Sequence, residues 1–280
     1  MHAVLWRLTA CALMLAAASI AQAADMIGNC EMSGKKGDMA ISAPVKAGLL
    51  TVAVSLPAPM WWNGEAPESI KDGFEFCLAA NVAWHAGFDK MQVVNVDWAP
   101  LLSGQVKAFD LALSEVAISD DRRKTVDFSP PYFRTDLGVL TKKDAVVDAK
   151  SIKTMRVGVQ QGTSAAAFAA STLKPKSVST FAELGDLFAA LRSGQIDAAV
   201  TDFMISAAEV GIESAALSIA GRYHTAEGFG AVYPKGSANA ATLDQIFKSL
   251  EAEGTEAALA RKYLWGVSGV VPESIAYFDP

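Results

Sequence analysis

LRSGQIDAAVTD, residues 191–202, reads as a helix end, a glycine turn, and a short buried strand closed by a hydroxyl and an acid. The same order stands earlier in the chain, where LLSGQV (101–106) is followed by DLALSE (110–115). Ser-Gly-Gln alone is a cheap tripeptide, but helix, turn, strand and acid recur together. An Asp opens each strand, Asp110 and Asp197, and Glu115 and Asp202 fall in equivalent places. The repeat implies two α/β lobes of similar build. Open α/β sheets bind ligands beyond the carboxyl ends of their strands, and two such ends face to face form a cleft. Ser114, Glu115, Thr201 and Asp202 are therefore the first site candidates.

The surrounding pattern agrees with two lobes. Residues 49–54 (LLTVAV) form an apolar β-branched strand, and 74–86 (FEFCLAANVAWHA) carry apolar residues at helical spacing up to a stop at Gly87. Strands are expected at 93–96 and 111–113, with a short helix around Leu101 and Leu102 between them. The alternation restarts with a strand at 156–159, helices at 165–173 and 184–192, and a strand at 198–200. A strand at 230–233 and helices at 243–253 and 256–263 close the chain. Strands alternating with helices predict a mainly parallel sheet flanked by helices in each lobe.

The chain has 280 residues, 51% hydrophobic and 19% charged, which excludes a disordered chain. A formal charge of −6 leaves no basic field to hold nucleic acid. Residues 1–23 are read as a signal peptide. A weakly basic start with His2 and Arg7 precedes an apolar run from Leu8 to Ala21, and Ala21-Gln22-Ala23 has the cleavage pattern. The run is too short for a bilayer span, and too little apolar sequence precedes Cys11 for a lipidation box. Residues 24–47, with several glycines and Pro44, read as an irregular N-terminal arm. Export leaves Cys30 and Cys77. They read either as one disulfide of an oxidising compartment, or as a loose Cys30 and a Cys77 buried as a small apolar residue.

Catalytic signatures are mostly absent: there is no phosphate-cradling glycine loop, H-x-x-x-H, C-x-x-C or G-x-S-x-G. No cofactor and no metal are expected, and His85 and His224 read as structural or solvated. The segment 118–132, ISDDRRKTVDFSPPY, is richer. Arg123 and Lys124 read as solvated. Arg122 follows the strand that ends at Ser114, so its planar fork can reach the cleft and grip a carboxylate with two hydrogen bonds. Gly162 and Thr163, in QQGTS (160–164), link a strand to a helix. They form either a second hold on that carboxylate or an ordinary helix cap.

These blocks also carry a resemblance. GFEFCLA (73–79), Trp98, DLAL (110–113), SDDRRKTVDFSPPY (119–132), VGVQQGT (157–163) and GQIDAAVTD (194–202) occur in an order similar to the family 3 extracellular solute-binding proteins, the amino-acid receptors of ABC importers. The resemblance spans roughly residues 48–265. It implies a type II periplasmic-binding-protein fold, with residues 48–139 plus 228–280 as lobe 1, residues 140–227 as lobe 2, and two crossover strands between them. By the same resemblance Arg122 binds the ligand's α-carboxylate, Gly162 and Thr163 support it, Asp202 takes the α-ammonium, and Trp98 stacks on the ligand.

The departures concern the side-chain pocket. Ser55 stands where the family commonly has Asp, Ala58 where an aromatic is expected, and Glu115 and Ala117 where a small Gly and a hydroxyl are frequent. Trp61 and Trp62, displaced from the usual aromatic position, are expected to present flat faces to the cleft. With Glu115 they suggest a ligand carrying extra positive charge, such as a basic or N-methylated amino acid. The expected protein is a periplasmic monomer that closes on a zwitterion and hands it to an inner-membrane ABC permease. Two other readings stand beside it. One is a dehydratase-type enzyme using Glu115 and Asp202 as acid and base; the other is a sensory binding module.

Overall fold

The computed structural model describes residues 25–265 and 269–280. The expected signal peptide lies outside the described residues. In chain order the elements are β1 (Met26–Ile27), β2 (Cys30–Glu31), β3 (Leu50–Val54), α1 (Phe74–His85), β4 (Met91–Asn95), α2 (Trp98–Leu102), β5 (Leu111–Ala112) and the long β6 (Val126–Lys142). They continue with β7 (Arg156–Gln160), α3 (Ser164–Phe168), β8 (Ser177–Phe181), α4 (Leu184–Ser193), β9 (Ala198–Asp202) and α5 (Phe203–Ile212). The long β10 (Leu217–Pro234), α6 (Ala240–Ala252) and α7 (Thr255–Tyr263) complete them.

Eight strands form one sheet in the order β4-β3-β5-β10-β6-β9-β7-β8. Each end is a parallel trio, β4-β3-β5 and β9-β7-β8, and the antiparallel pair β6–β10 joins them. Every residue of β3 is buried, as expected of a strand with cover on both faces. Leu50, Val52 and Val54 enter one apolar cluster with α1, and Ala53 enters another with Leu101 and Phe109. A third cluster fills the second lobe around Val157, Val159, Val200 and Tyr223.

The internal repeat is built from the same bonds twice. Asp110 donates its amide to Thr51 O at 2.9 Å, and its carboxylate accepts from Thr51 N at 2.7 Å. Asp197 does the same with Arg156, at 2.8 and 2.9 Å. Gly104 and Gly194 turn the chain before each strand with φ of +70° and +81°, a conformation that costs glycine least. Beyond the strands the lobes diverge: Asp202 starts α5, whereas the chain after Glu115 runs on toward β6.

Three expectations change. The N-terminal arm is held down: Cys30 is bonded to Cys77 on α1, Ser33 N donates to Asn81 Oδ1 at 2.8 Å, and the buried His85 meets Asp38 at 2.9 Å. The C-terminal tail, expected with the first lobe, packs on the second. Tyr277 donates to Asp136 Oδ2 at 2.7 Å and lies under the Arg222 guanidinium, while Phe278 meets Tyr223 edge-on. The sequence places no strand in the proline-containing segment 118–132, yet its residues from Val126 onward belong to β6, which runs to Lys142. Pro130 and Pro131 hid it. They are accommodated because the β6–β10 register slips on both sides of the Gly230–Pro131 pair.

A cleft at the facing strand ends

The carboxyl ends of both parallel trios open on one cleft, which holds about 690 Å³ of space free of protein atoms, part of it open to solvent. Ser55, Trp98, Ser114, Glu115, Ala117 and Arg122 line it from the first lobe, and Thr163, Ser164, Glu183, Thr201 and Asp202 from the second. Gly162 sits at the mouth, in an adjoining pocket shared with Trp98 and Arg122.

Arg122, in a short turn after Asp121, donates through one guanidinium nitrogen to the Ala117 carbonyl and through the other to Gly162 O across the cleft, the latter at 2.8 Å. Its charge lies 5.5 Å from the Trp98 ring centre. Burial lowers its pKa to about 10, and Glu227 opposes the shift. The guanidinium thus remains a cation at neutral pH. The Trp98 indole makes a second bond between lobes, to Gln161 O at 3.1 Å.

Asp202 has two roles, one per oxygen. Oδ1 caps α5 by accepting from Met204 N at 2.8 Å and Ile205 N at 3.3 Å. Oδ2 is buried and unpartnered. Desolvation raises this carboxyl to about 7, opposed by the nearby Thr135 hydroxyl and the two capping amides. A cation reaching Oδ2 would restore its charge. On the other wall, Glu115 Oε1 is likewise buried without a partner. Its pKa is held well above the usual carboxylate range by burial, then by the charges of Glu75 and Asp202.

The Thr163 hydroxyl is spent on capping: it donates to Gln160 O at 2.7 Å and accepts from Ala166 N at 3.1 Å. Ser114 Oγ accepts the Ser55 amide at 3.1 Å and so ties the ends of two strands together.

Trp61 and Trp62 do not reach the cleft. Their exposures are 1% and 0%. Met60 and Trp61 carbonyls accept the amides of Phe74, Glu75 and Phe76 at the start of α1, which draws both rings inward. Trp61 then packs edge-on against Phe74, Phe133 and Phe229, and Trp62 donates to Glu75 Oε2 at 2.7 Å. Sequence reasoning passed over Glu75, whose carboxyl lies directly behind Glu115. The signal was present: Glu75 is a lone acid in the otherwise apolar stretch FEFCLAA.

Comparison with known proteins agrees with this architecture. The profile of the bacterial extracellular solute-binding proteins, family 3, matches residues 50–266. The L-cystine-binding protein TcyJ of Escherichia coli K12 is 26% identical over 196 residues, covering 68% of this chain and 73% of that protein. The lysine/arginine/ornithine-binding periplasmic protein of the same strain is 27% identical over 260 residues, covering 82% and 96%. Among solved structures, an ancestral arginine-binding protein bound to arginine superposes with a TM-score of 0.66 at 26% identity, covering 77% of this chain and 98% of that one. With a profile match running from the first strand of the main sheet to beyond α7, and a two-lobed type II fold around a cleft, this chain belongs to the family 3 bacterial extracellular solute-binding proteins.

Proposed function

We propose that this protein captures an amino acid or a related zwitterion between its lobes in the periplasm and delivers it, chemically unchanged, to an ABC permease of the inner membrane. One observation carries the reading: a half-buried cation, Arg122, and a buried unpartnered carboxylate oxygen, Asp202 Oδ2, belong to the same cleft. They suit the two poles of a zwitterion. In this reading Arg122 holds the α-carboxylate, Asp202 Oδ2 the α-ammonium, and Trp98 stacks on the ligand. Ser114, Gly162 and Thr163 shape the walls, with Thr163 acting through its main chain because its hydroxyl is already engaged. Charge-assisted bonds in a closed, poorly hydrated cleft supply affinity, and lobe closure is the signal a transporter reads. The amino-acid ligands named for the cystine-binding and lysine/arginine/ornithine-binding relatives support the substrate class.

Native mass spectrometry of freshly purified protein, followed by denaturation and identification of the released molecule, tests the reading. A stoichiometric amino acid of unchanged mass is expected. Conversion of an added cyclic acid to a product would favour the enzyme reading instead.

A further inference from the structure

Glu75, on α1, accepts from the Trp62 indole at 2.7 Å, from the Glu115 amide at 2.9 Å, and from the Tyr132 hydroxyl. All three partners are neutral. Neither Glu75 nor Glu115 is ion-paired with Lys, Arg or His among the described residues. Glu115 has φ +49°, a left-handed backbone that disfavours a long side chain. That turn ties its amide to Glu75 while the residue lines the cleft, with Oε1 buried and unpartnered.

The groups facing Glu115 are Glu75 from α1, Tyr132 from β6 and Asp202 from β9. Farther round the cleft stand Arg122, Glu183 and Glu227. Two adjacent carboxyls out of water with no cation do not both ionise. Burial raises both, Glu75 to about 7 and Glu115 well upward, so the pair retains a proton at neutral pH.

We propose that Glu115 determines specificity by receiving a second positive centre on the ligand, a guanidinium, ammonium or quaternary ammonium, and that this centre displaces the proton which the two carboxyls retain in the ligand-free state. The inference rests on the amino-acid reading of the cleft. In the exchange a carboxyl O–H bond breaks heterolytically, its electron pair stays on oxygen, and the proton passes to buffer. A ligand with a neutral side chain leaves the proton in place.

Titration calorimetry at pH 7 in phosphate and in Tris, buffers of different ionisation enthalpy, counts protons released per ligand. The probes are L-arginine, L-lysine, Nε-trimethyl-L-lysine, L-glutamine and L-glutamate, applied to the wild type, E115Q and E75Q. At least one cationic probe is expected to bind about 10-fold or more tighter than glutamine and to release roughly half to one proton more than glutamine, the exchange that a pKa shift of a unit or more implies. The α-ammonium of glutamine displaces only the proton on Asp202. In E115Q the preference should collapse and the excess release over glutamine should vanish. Because proton release is read on the wild type, the test does not depend on either variant folding. Equal binding of cationic and neutral probes, preference for glutamate, or cation binding with no more proton release than glutamine overturns the Glu115 assignment and leaves the amino-acid reading intact. Failure of every probe to bind overturns both.

Discussion

The Arg122 guanidinium reaches across the cleft to the Gly162 carbonyl at 2.8 Å while another of its nitrogens stays on Ala117 in its own lobe. Together with the Trp98–Gln161 bond, this draws the two lobes together at the mouth of the cleft. Arg122 therefore both offers charge to a ligand and links the walls that enclose it.

Arg122→Ala should cut affinity for the native ligand by roughly 30-fold or more, since losing one member of a buried charge pair costs about 2–5 kcal/mol. Arg123, whose side chain lies on the exposed side of Phe128, should tolerate Ala with affinity nearly unchanged. Calorimetry of both variants decides it. Equal affinities would remove Arg122 from the site.

Asp202→Asn should keep the α5 cap, because Asn caps about as well as Asp, and lose the charge opposite the ammonium. Melting temperature at pH 5, where the buried carboxyl is still neutral, should barely move, while affinity at pH 7 drops by roughly one to two orders of magnitude, the range for a charge-assisted hydrogen bond. An analogue lacking the amino group should be spared. An equal loss for analogue and ligand would reduce Asp202 to its capping role.

Stability of the ligand-free protein should fall as pH rises from about 4 to above 7. In the folded chain Asp202 and Glu75 titrate near 7, against 3.8 and 4.5 for the free groups. The native state thus binds the extra protons, and its advantage is lost through that window. Thermal melts should peak near pH 5 and lie at least about 5 °C lower at pH 8, using roughly 2–4 °C per kcal/mol. Asp202→Asn and Glu75→Gln should each flatten the slope. A melting temperature that climbs steadily from pH 5 to 8 would contradict the two raised pKa values.

Replacing Cys30 and Cys77 by Ser opens a link between residues 47 apart, which chain entropy values at about 4 kcal/mol. The melting temperature should drop by roughly 8–16 °C. Affinity should change little, because the bond ties the N-terminal arm to α1 and neither cysteine lines the cleft. A large affinity loss in the still-folded variant would contradict that separation.

Trp61→Ala should act on stability and leave recognition in place. Removing a fully buried indole surrounded by Phe74, Phe133 and Phe229 costs about 3–5 kcal/mol. Denaturant midpoints should fall with the slope unchanged, and the folded fraction should bind ligand normally. Lost affinity with full stability would return Trp61 to the cleft.

The sequence alone determined what local pattern encodes. Apolar periodicity, the Gly104 and Gly194 turns and the Asp110 and Asp197 strand starts are near-neighbour properties, and they were enough for two α/β lobes with Ser114, Glu115, Thr201 and Asp202 at facing strand ends. Arg122 was legible because a planar cation after a buried strand has few places to go. Tertiary structure decided whatever depends on packing between distant segments. Whether Trp61 and Trp62 meet solvent or core is set by the amides of α1, which claim the carbonyls of Met60 and Trp61. The strand through Pro130 and Pro131 exists because β10 supplies slipped pairing beside them. The Glu75–Glu115 contact joins residues 40 apart in the chain. Its electrostatic weight comes from the exclusion of water, which no local pattern records, because desolvation is a property of the assembled surroundings.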